Sequence, residues 1–330
     1  MKLRYTAQEK DKSRTVHSVM RKELEISATM MRRLKKADAI SVSGKSVFTN
    51  YKLAPREVVE IDIIAAEEPC GNLPEFGEIE VLFENEGLLA INKPPGMLVH
   101  PSRSRYTGTL SNFVAGYLEA QGGSFCHAVN RLDRDTSGIV LFAKNSYMKA
   151  LASTALSAAD ASKQYFALVS GEMPESGTIA VPIKRFEERN MLRVPSPDGQ
   201  RAVTHFDTAR VFAVDGEMQA GGRVSPLKDG EELPEEFCFS LVKFRLETGR
   251  THQIRVHCLH SGHPILGDKL YCDSKSQFIS QALGITVQVL HAGRLSFTDP
   301  ITKKYIEIKA PWHPKNFPCI LKRDMLAYLG

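Results

Sequence analysis

Apolar residues in the first third of the chain follow a helical and then a strand period. A first predicted helix has one apolar face, formed by Val16, Val19, Met20 and Leu24. A second predicted helix, 27–36, begins with Ser27 as its N-cap. Residues 39–47 alternate like a strand pair around the Ser43-Gly44 turn, and 57–63 alternate as a further strand. These elements predict a small α/β unit over 15–65, preceded by a polar, strand-like lead-in.

From residue 79 onward, strand-like runs dominate and helical patterns are fewer. The apolar runs that predict strands are EVLFEN, LLAINK, GIVLFAKN, QYFALVSG, THFDTARVFAV, FCFSLVKFRLE and YIEIKA. Helical spacing occurs near 110–120, 146–157, 252–262 and 275–283. Consecutive strands with occasional helices predict an α+β domain built on a largely antiparallel sheet with flanking helices.

Composition shifts divide the chain into a small and a large predicted domain. The segment 66–78 is rich in Pro, Gly and acidic residues and lacks periodicity, which predicts a linker between domains 15–65 and 79–330. Within the larger domain, 214–236 is a polar stretch between two strand patterns, which predicts a solvated hairpin insertion.

Composition is ordinary for a globular protein and constrains function only weakly. The hydrophobic share is 42% and the charged share 25%, and the formal net charge of +5 permits a polyanionic partner without requiring one. Six cysteines without a CxxC pair indicate a reduced, cytoplasmic protein. We find no apolar run after the N-terminal charges and no stretch of about 20 apolar residues, so we expect neither a signal peptide nor a membrane span.

Basic residues concentrate in the small N-terminal unit. Within 25 residues lie Arg21, Lys22, Arg32, Arg33, Lys35, Lys36 and Lys45. Since Met30, Met31 and Leu34 form the apolar face of the second helix, the helix's basic side chains are free to face outward and contact phosphates. A solvated face without a partner is the alternative interpretation.

An acidic motif immediately before an apolar strand is the most informative stretch. HAVNRLDRDTSGIVLFAKN (127–145) places Arg131, Asp133 and Arg134 at the entrance of a buried-looking strand. The two arginines would help to keep Asp133 ionised, and Gly138 gives room for the strand to begin. From these residues alone, a salt-bridged structural turn before a core strand is favoured over a catalytic site.

RLDRDTSG resembles the signature of the RluA family of RNA pseudouridine synthases, H-R-L-D-x-x-T-S-G, with Asn130 where His is common. Further family-like blocks follow in order along 80–312: LLAINKPPGMLVHPS, SKQYFALVSG, TIAVPIKR, LETGRTHQIRVHCLHSGHPILGDKLY and HAGRLSFTDP. The N-terminal unit resembles the alpha-L RNA-binding module of a ribosomal small-subunit protein, with SVSGKSV at its hairpin turn.

The resemblance implies roles for individual residues. Asp133 aligns with the family's essential aspartate, as a nucleophile at C1′ or a base that removes the 2′ proton. Arg255 aligns with the arginine that pairs with it, and Tyr165 with an aromatic platform that assists at C5. Ile254 would pack against the base, Arg131 would occupy the gap left by a flipped nucleotide, and Lys163 would bind substrate.

The resemblance also implies the partners. The expected substrate is RNA, with large-subunit ribosomal RNA favoured and transfer RNA open, and the expected protein is a monomer. Isomerisation conserves the substrate's atoms, so no cofactor or metal is expected. The sequence also permits three alternatives: a zinc site at His257, Cys258, His260 and His263; a glycosidase; and a non-catalytic RNA-binding or ribosome-assembly factor.

Overall fold

The computed structural model describes residues 1–68, 71–102, 105–123, 125–187, 192–214 and 237–312. The predicted insertion 214–236 lies outside this part of the chain except for its first residue. The chain forms two compact units. The first comprises Met1–Ala90, His100–Asn130 and Leu141–Thr154, and the second comprises Ile91–Val99, Arg131–Val140 and the chain from Ala155 onward. No described helix is long and apolar enough to cross a membrane.

The described residues form sixteen strands, six α-helices and two short 3-10 helices. The strands are β1 (Lys2–Thr6), β2 (Ile40–Val42), β3 (Lys45–Ser46), β4 (Val58–Asp62), β5 (Val81–Glu84), β6 (Leu88–Lys93), β7 (His127–Ala128), β8 (Ser137–Ala143), β9 (Ser162–Ser170), β10 (Ser176–Ile179), β11 (Ile183–Arg185), β12 (Arg193–Pro195), β13 (Thr204–Val214), β14 (Phe237–Leu246), β15 (Leu290–Thr298) and β16 (Tyr305–Lys309). The α-helices are α1 (Val16–Lys22), α2 (Ala28–Lys36), α3 (Leu110–Ala120), α4 (Ser146–Ala155), α5 (Gln253–His260) and α6 (Ser274–Ala282). The 3-10 helices are Glu9–Asp11 and Ile64–Ala66.

The first unit begins with the predicted small α/β arrangement. Its sheet has the order β1-β4-β2-β3 and every described pair is antiparallel. Ser27 caps α2 as predicted, because its hydroxyl accepts the Met30 N–H at 3.1 Å. Ser43 and Gly44 both have positive φ, 49° and 81°, as a two-residue hairpin turn between β2 and β3 requires. Strand β1 adds residues 2–6 to this sheet, upstream of the predicted start at 15.

Residues 64–68 and α4 also contact each other within the first unit. The buried Glu67 carboxylate accepts hydrogen bonds from the backbone N–H and the hydroxyl of Ser146, at 2.7 and 2.6 Å. The Tyr147 hydroxyl donates to the Leu24 carbonyl at 2.8 Å. These bonds join the N-terminal α/β arrangement and its following segment to α4. The domain limits 15–65 and 79–330 remain a prediction.

The second unit is built around a twisted, mostly antiparallel sheet. Its strands follow the order β10-β13-β14-β9-β15-β8, with β16 also paired to β15. Only the contact between β15 and β8 is parallel among the described pairs of this unit. Helix α5 packs on one face, where Ile254 lies in a core cluster with Ala167 of β9. Helix α6 packs on the other face, where Phe278 joins Leu168. The α+β class predicted from sequence is confirmed.

Strand β15 was absent from the strands predicted by pattern, although it lies between β9 and β8. Its sequence LHAGRLSFT mixes His291, Gly293 and Arg294 with apolar residues, so neither a continuous apolar run nor a clean alternation is visible. A register shift between Ala292 and Arg294 interrupts the alternation further. Most of the strand is nevertheless buried, because neighbouring strands flank it on both sides.

Candidate active site

The RLDRDTSG segment forms a tight turn that leads into β8. The Thr136 N–H donates to the Asp133 carbonyl at 3.2 Å, and the Gln288 side chain donates to the Thr136 hydroxyl at 2.7 Å. Gly138 has φ 107°, and a Cβ at this position would lie 2.3 Å from the Ala292 carbonyl oxygen. The turn therefore needs glycine where β8 meets β15, as predicted, and it presents Asp133 at the head of the strand.

Arg255 of α5 holds two carboxylates that are far apart in sequence. Its Nη1 donates to Asp133 Oδ2 at 3.1 Å, across 122 residues of chain. Its Nε and Nη2 donate to the two oxygens of Asp268 at 2.6 and 2.8 Å, in a two-armed contact. Asp268 is fully buried and Arg255 is 9% exposed, whereas Asp133 is 26% exposed. Of the two carboxylates, Asp133 is the one a ligand can reach.

Charge and ring contacts fix the Arg255 guanidinium. Burial disfavours its charged form, but the carboxylates of Asp268 and Asp133 outweigh burial and raise the pKa of Arg255. The guanidinium carbon also lies 4.9 Å from the centre of the Tyr271 ring, a cation–π contact. Arg255 is thus a permanent cation whose orientation is set on three sides.

Tyr165 lies on β9, which β15 separates from β8 in the sheet. In the sheet, Ala292 of β15 pairs with Tyr165 on one side and with Gly138 on the other. Two strand spacings, about 10 Å, therefore separate Tyr165 from the start of β8. Burial, with the Asp133 carboxylate, raises the pKa of Tyr165 to about 12, so the phenol keeps its proton at neutral pH.

The three predicted substrate-binding residues lie in different environments. Arg131 is exposed two residues before Asp133, in the same extended segment. Lys163 is partly buried on β9, on the same strand face as Tyr165; burial lowers its pKa, and no described residue forms an ion pair with it. Ile254 is only 4% exposed and belongs to the core cluster against which Tyr165 packs.

Comparison with known proteins identifies the family. The family model described as RNA pseudouridylate synthase matches residues 87–260. A Bacillus subtilis protein named uncharacterized RNA pseudouridine synthase YhcT is 34% identical over 325 residues, covering 98% of this chain and 96% of that protein. This chain belongs to the RNA pseudouridylate synthase family. The resemblance to RluA-type enzymes seen in the sequence is thereby confirmed, whereas the alpha-L module stays a prediction.

Other members of the pseudouridylate synthase family match at similar levels. Ribosomal large subunit pseudouridine synthase D of Zymomonas mobilis is 33% identical, over 84% of this chain and 82% of its own. Ribosomal large subunit pseudouridine synthase C of Vibrio vulnificus is 31% identical, over 90% and 88%. The solved structure of human RNA pseudouridylate synthase domain containing 1 has a TM-score of 0.54 at 20% identity, over 77% of this chain and 96% of that one, which shows a shared fold.

The direct partner of Arg134 in the synthase is Asp135 and not Asp133. Arg134 was predicted to help keep Asp133 ionised, but its guanidinium makes a two-armed contact with Asp135 at 3.1 and 3.0 Å. In this turn the Asp135 carboxylate is closer to Arg134 than the Asp133 carboxylate is, so Arg134 pairs with Asp135. Among the described residues, the guanidinium that contacts Asp133 belongs to Arg255, which is distant in sequence and is brought near by the fold.

Some of the basic residues of the N-terminal part make contacts within the fold. Arg33 forms an ion pair with Glu68 at 3.0 Å, and Arg21 donates to the Ile26 carbonyl at 2.8 Å. Six of the seven predicted RNA contacts are exposed: Arg21, Lys22, Arg32, Lys35, Lys36 and Lys45. The Arg32 guanidinium also donates to the Thr29 hydroxyl at 3.4 Å.

Two residues of the alternative zinc site, His257 and Cys258, make other contacts in the fold. His257 bonds through Nδ1 to the Thr204 hydroxyl and through Nε2 to the Val181 carbonyl, both at 2.9 Å. Cys258 is fully buried in the core beneath α5, and burial raises the pKa of its thiol. Among the described residues, no three His, Cys, Asp or Glu side chains are arranged to hold a metal ion.

Sequence reasoning missed Lys93, a fully buried lysine beneath the RLDRDTSG turn. Its Nζ donates to the carbonyls of Pro94, Met97 and Arg134 at 2.8, 2.9 and 2.8 Å. Three acceptors match the three protons of an ammonium group. Burial lowers the pKa of Lys93 to about 7, against the opposing effect of Asp135 and Asp133. The sequence did contain a signal for this residue. Lys93 ends the apolar run LLAINK and lies within the family-like block LLAINKPPGMLVHPS.

Replacing this lysine should destabilise the synthase in a pH-dependent way. We expect Lys93→Met to lower the free energy of unfolding by roughly 2–4 kcal/mol, because three buried carbonyls lose their donor. The pKa of Lys93 is about 7 in the folded state and 10.5 in the unfolded chain, so the unfolded chain binds more protons between these two values. The contribution of Lys93 to stability therefore rises from about pH 7 to about pH 10.5. Urea unfolding of both proteins at several pH values measures this. The exposed Lys309→Met is the control, and an equal pH slope in wild type and Lys93→Met would contradict the expectation.

Proposed function

We propose that this enzyme isomerises uridines of large-subunit ribosomal RNA to pseudouridine, with Asp133 as the catalytic carboxylate and Arg255 as the cation that holds it. The observation that carries the proposal is the Arg255–Asp133 contact of 3.1 Å, at a carboxylate that remains partly exposed. Two relatives at 33% and 31% identity are named ribosomal large subunit pseudouridine synthases, which supports the choice of RNA.

The reaction breaks the N1–C1′ bond of uridine and forms a C5–C1′ bond, and the proton of C5 is exchanged for one on N1. The nucleotide must first leave its stack, because neither C1′ nor C5 is reachable within paired RNA. Asp133 acts at the ribose, as the nucleophile at C1′ or as the base at C2′. Arg255 keeps Oδ2 engaged throughout, so the carboxylate does not rotate away from the sugar.

We assign the remaining residues by their surroundings. Tyr165 offers a ring face to the flipped uracil, and its raised pKa favours this platform role over a role as the base at C5. Lys163 is half-buried without a described carboxylate partner, which suits contact with a phosphate or a uracil carbonyl. Arg131 is exposed two residues before Asp133, and its side chain suits the gap that the flipped nucleotide leaves in the RNA stack. Ile254 belongs to the core cluster against which Tyr165 packs.

The basic helix α2 is proposed to dock structured RNA, as in an alpha-L module. We expect the triple variant Arg32→Gln, Lys35→Gln and Lys36→Gln to bind RNA more weakly and to reduce the slope of log affinity against log salt by about 2. The reason is that each exposed cation displaces a counterion from a phosphate. Filter binding at several salt concentrations measures the slope.

A matched control comes from the second unit, where Lys303, Lys304 and Lys309 are also exposed. Their triple replacement by Gln removes the same charge and should leave the salt slope nearly unchanged. The docking role is wrong if the two triples weaken binding equally. The single-turnover rate of the α2 triple at saturating RNA should equal that of wild type, because the chemistry lies elsewhere.

The substrate is tested by mapping pseudouridines in ribosomal and transfer RNA from cells that lack the protein. We expect a site in large-subunit ribosomal RNA to lose its pseudouridine, and the wild-type gene to restore it. If pseudouridines are lost only from transfer RNA, then transfer RNA is the substrate and the proposed chemistry still holds. Complementation by Asp133→Asn would contradict the catalytic assignment.

A further inference from the structure

We propose that His252 is a positioning residue for Asp133, that its Nε2–H points at Asp133 Oδ2, and that Tyr271 fixes this tautomer. The inference rests on the proposed catalytic role of Asp133. His252 immediately precedes α5 and has a left-handed backbone, φ 59°, a conformation in which His is over-represented among non-glycine residues. This backbone sets its imidazole beside the catalytic carboxylate rather than along the helix.

The distances define a chain of polar groups. The Tyr271 oxygen accepts the Arg193 N–H at 2.8 Å and lies 2.8 Å from His252 Nδ1. The other imidazole nitrogen, Nε2, lies 3.8 Å from Asp133 Oδ2. This last separation is longer than a hydrogen bond, and such contacts commonly shorten when substrate closes the site.

The donors and acceptors in this chain of polar groups are consistent with one arrangement of protons on Tyr271 and His252. The Tyr271 oxygen already accepts from Arg193, and burial raises the pKa of Tyr271, so its O–H proton is retained. Among the described residues, the acceptor within reach of that proton is His252 Nδ1. A neutral imidazole with an unprotonated Nδ1 carries its proton on Nε2, the nitrogen that faces Asp133.

Burial is the main reason that His252 is neutral. Its side chain is 14% exposed, and burial lowers its pKa. Arg255 and Arg193 lower the pKa further, while Asp133 and Asp268 oppose the shift. Near neutral pH the imidazole is therefore not a second cation on Asp133, and its Nε2–H can donate to the carboxylate once the 3.8 Å separation shortens.

This arrangement assigns different tasks to the two oxygens of Asp133. Arg255 Nη1 and His252 Nε2 are both closest to Oδ2 of this carboxylate. No described side chain donates to Oδ1, which leaves Oδ1 as the oxygen that meets the ribose. Two donors on one oxygen also restrain rotation of the carboxylate more than one donor would.

Three variants separate the parts of this chain. His252→Asn suits the left-handed backbone and retains a polar atom near Nδ1, but it lacks a donor at the Nε2 position. His252→Gln places an amide N–H near Nε2. Tyr271→Phe keeps the ring on Arg255 and removes only the hydroxyl that fixes the tautomer.

The assay is single-turnover tritium release from uridine C5, with saturating enzyme and with total RNA from cells that lack the protein. We expect His252→Asn to slow release about tenfold or more, with RNA affinity and melting temperature nearly unchanged. Tyr271→Phe should slow release to a similar extent and also lower the melting temperature, because the Arg193 N–H loses its acceptor. His252→Gln should recover part of the rate lost in His252→Asn. A purely structural role of His252 would instead lower the melting temperature or the affinity of His252→Asn, and Gln would give no rescue.

Two results would overturn the inference: a wild-type release rate in His252→Asn, or equal rates in the Asn and Gln variants. Asp133→Asn in the same assay separates this failure from failure of the proposed function. If Asp133→Asn is inactive while His252→Asn is fully active, only the positioning role is wrong. If Asp133→Asn releases tritium at the wild-type rate, the catalytic assignment itself is wrong.

Discussion

Asp133→Asn should reduce pseudouridine formation by roughly 10³-fold or more, because an amide can serve neither as a nucleophile at C1′ nor as a base at C2′. The variant should still fold and bind RNA, since Asn keeps the shape of the side chain and Asp133 is partly exposed. Single-turnover tritium release and filter binding measure the two properties separately. Loss of activity with retained binding would also argue against a non-catalytic RNA-binding factor.

Asp135→Asn provides a matched control two residues away. This carboxylate pairs with Arg134 and is 33% exposed, so its removal deletes a surface ion pair. Such pairs contribute about 0–1 kcal/mol, and the rate should change by no more than a few-fold. Comparable losses in the two variants would mean that the turn as a whole, and not Asp133, is what the reaction needs. Free uracil in the wild-type reaction would indicate a glycosidase.

Arg255→Met should lower the free energy of unfolding by about 3–5 kcal/mol, because it leaves the fully buried Asp268 carboxylate without its cation. It should also remove activity, because Asp133 loses its described donor. The double variant Arg255→Met with Asp268→Leu separates these effects. Replacing both charges by apolar groups should restore much of the stability, but it cannot restore the guanidinium to Asp133.

The measurements are urea unfolding and single-turnover tritium release on wild type, the single variant and the double variant. Arg201→Met is the control, since the Arg201–Glu247 pair lies at 2.6 Å on an exposed surface and should contribute less than about 1 kcal/mol. A double variant that regains both stability and activity would contradict a direct role of Arg255 at Asp133. A single variant as stable as wild type would contradict the burial argument.

Local signals in the sequence predicted local features of the fold well. The N-cap at Ser27, the turn at Ser43 and Gly44, and all four helices expected after residue 79 agree with the structure. Each depends on interactions within a few residues, so the pattern contains the needed information. Strand β15 was missed because its burial comes from flanking strands that lie far away in sequence.

The site shows the same division. By itself, the sequence determined that a carboxylate stands in a turn before a buried strand, and the ordered motifs indicated which residues accompany it. Only the tertiary structure decided that Arg134 binds Asp135 while Arg255 bridges Asp133 and Asp268, and that Lys93 and His252 also surround the turn. The physical reason is that a carboxylate pairs with whichever cation the packed strands and α5 bring within hydrogen-bonding distance, and sequence separation does not measure that distance.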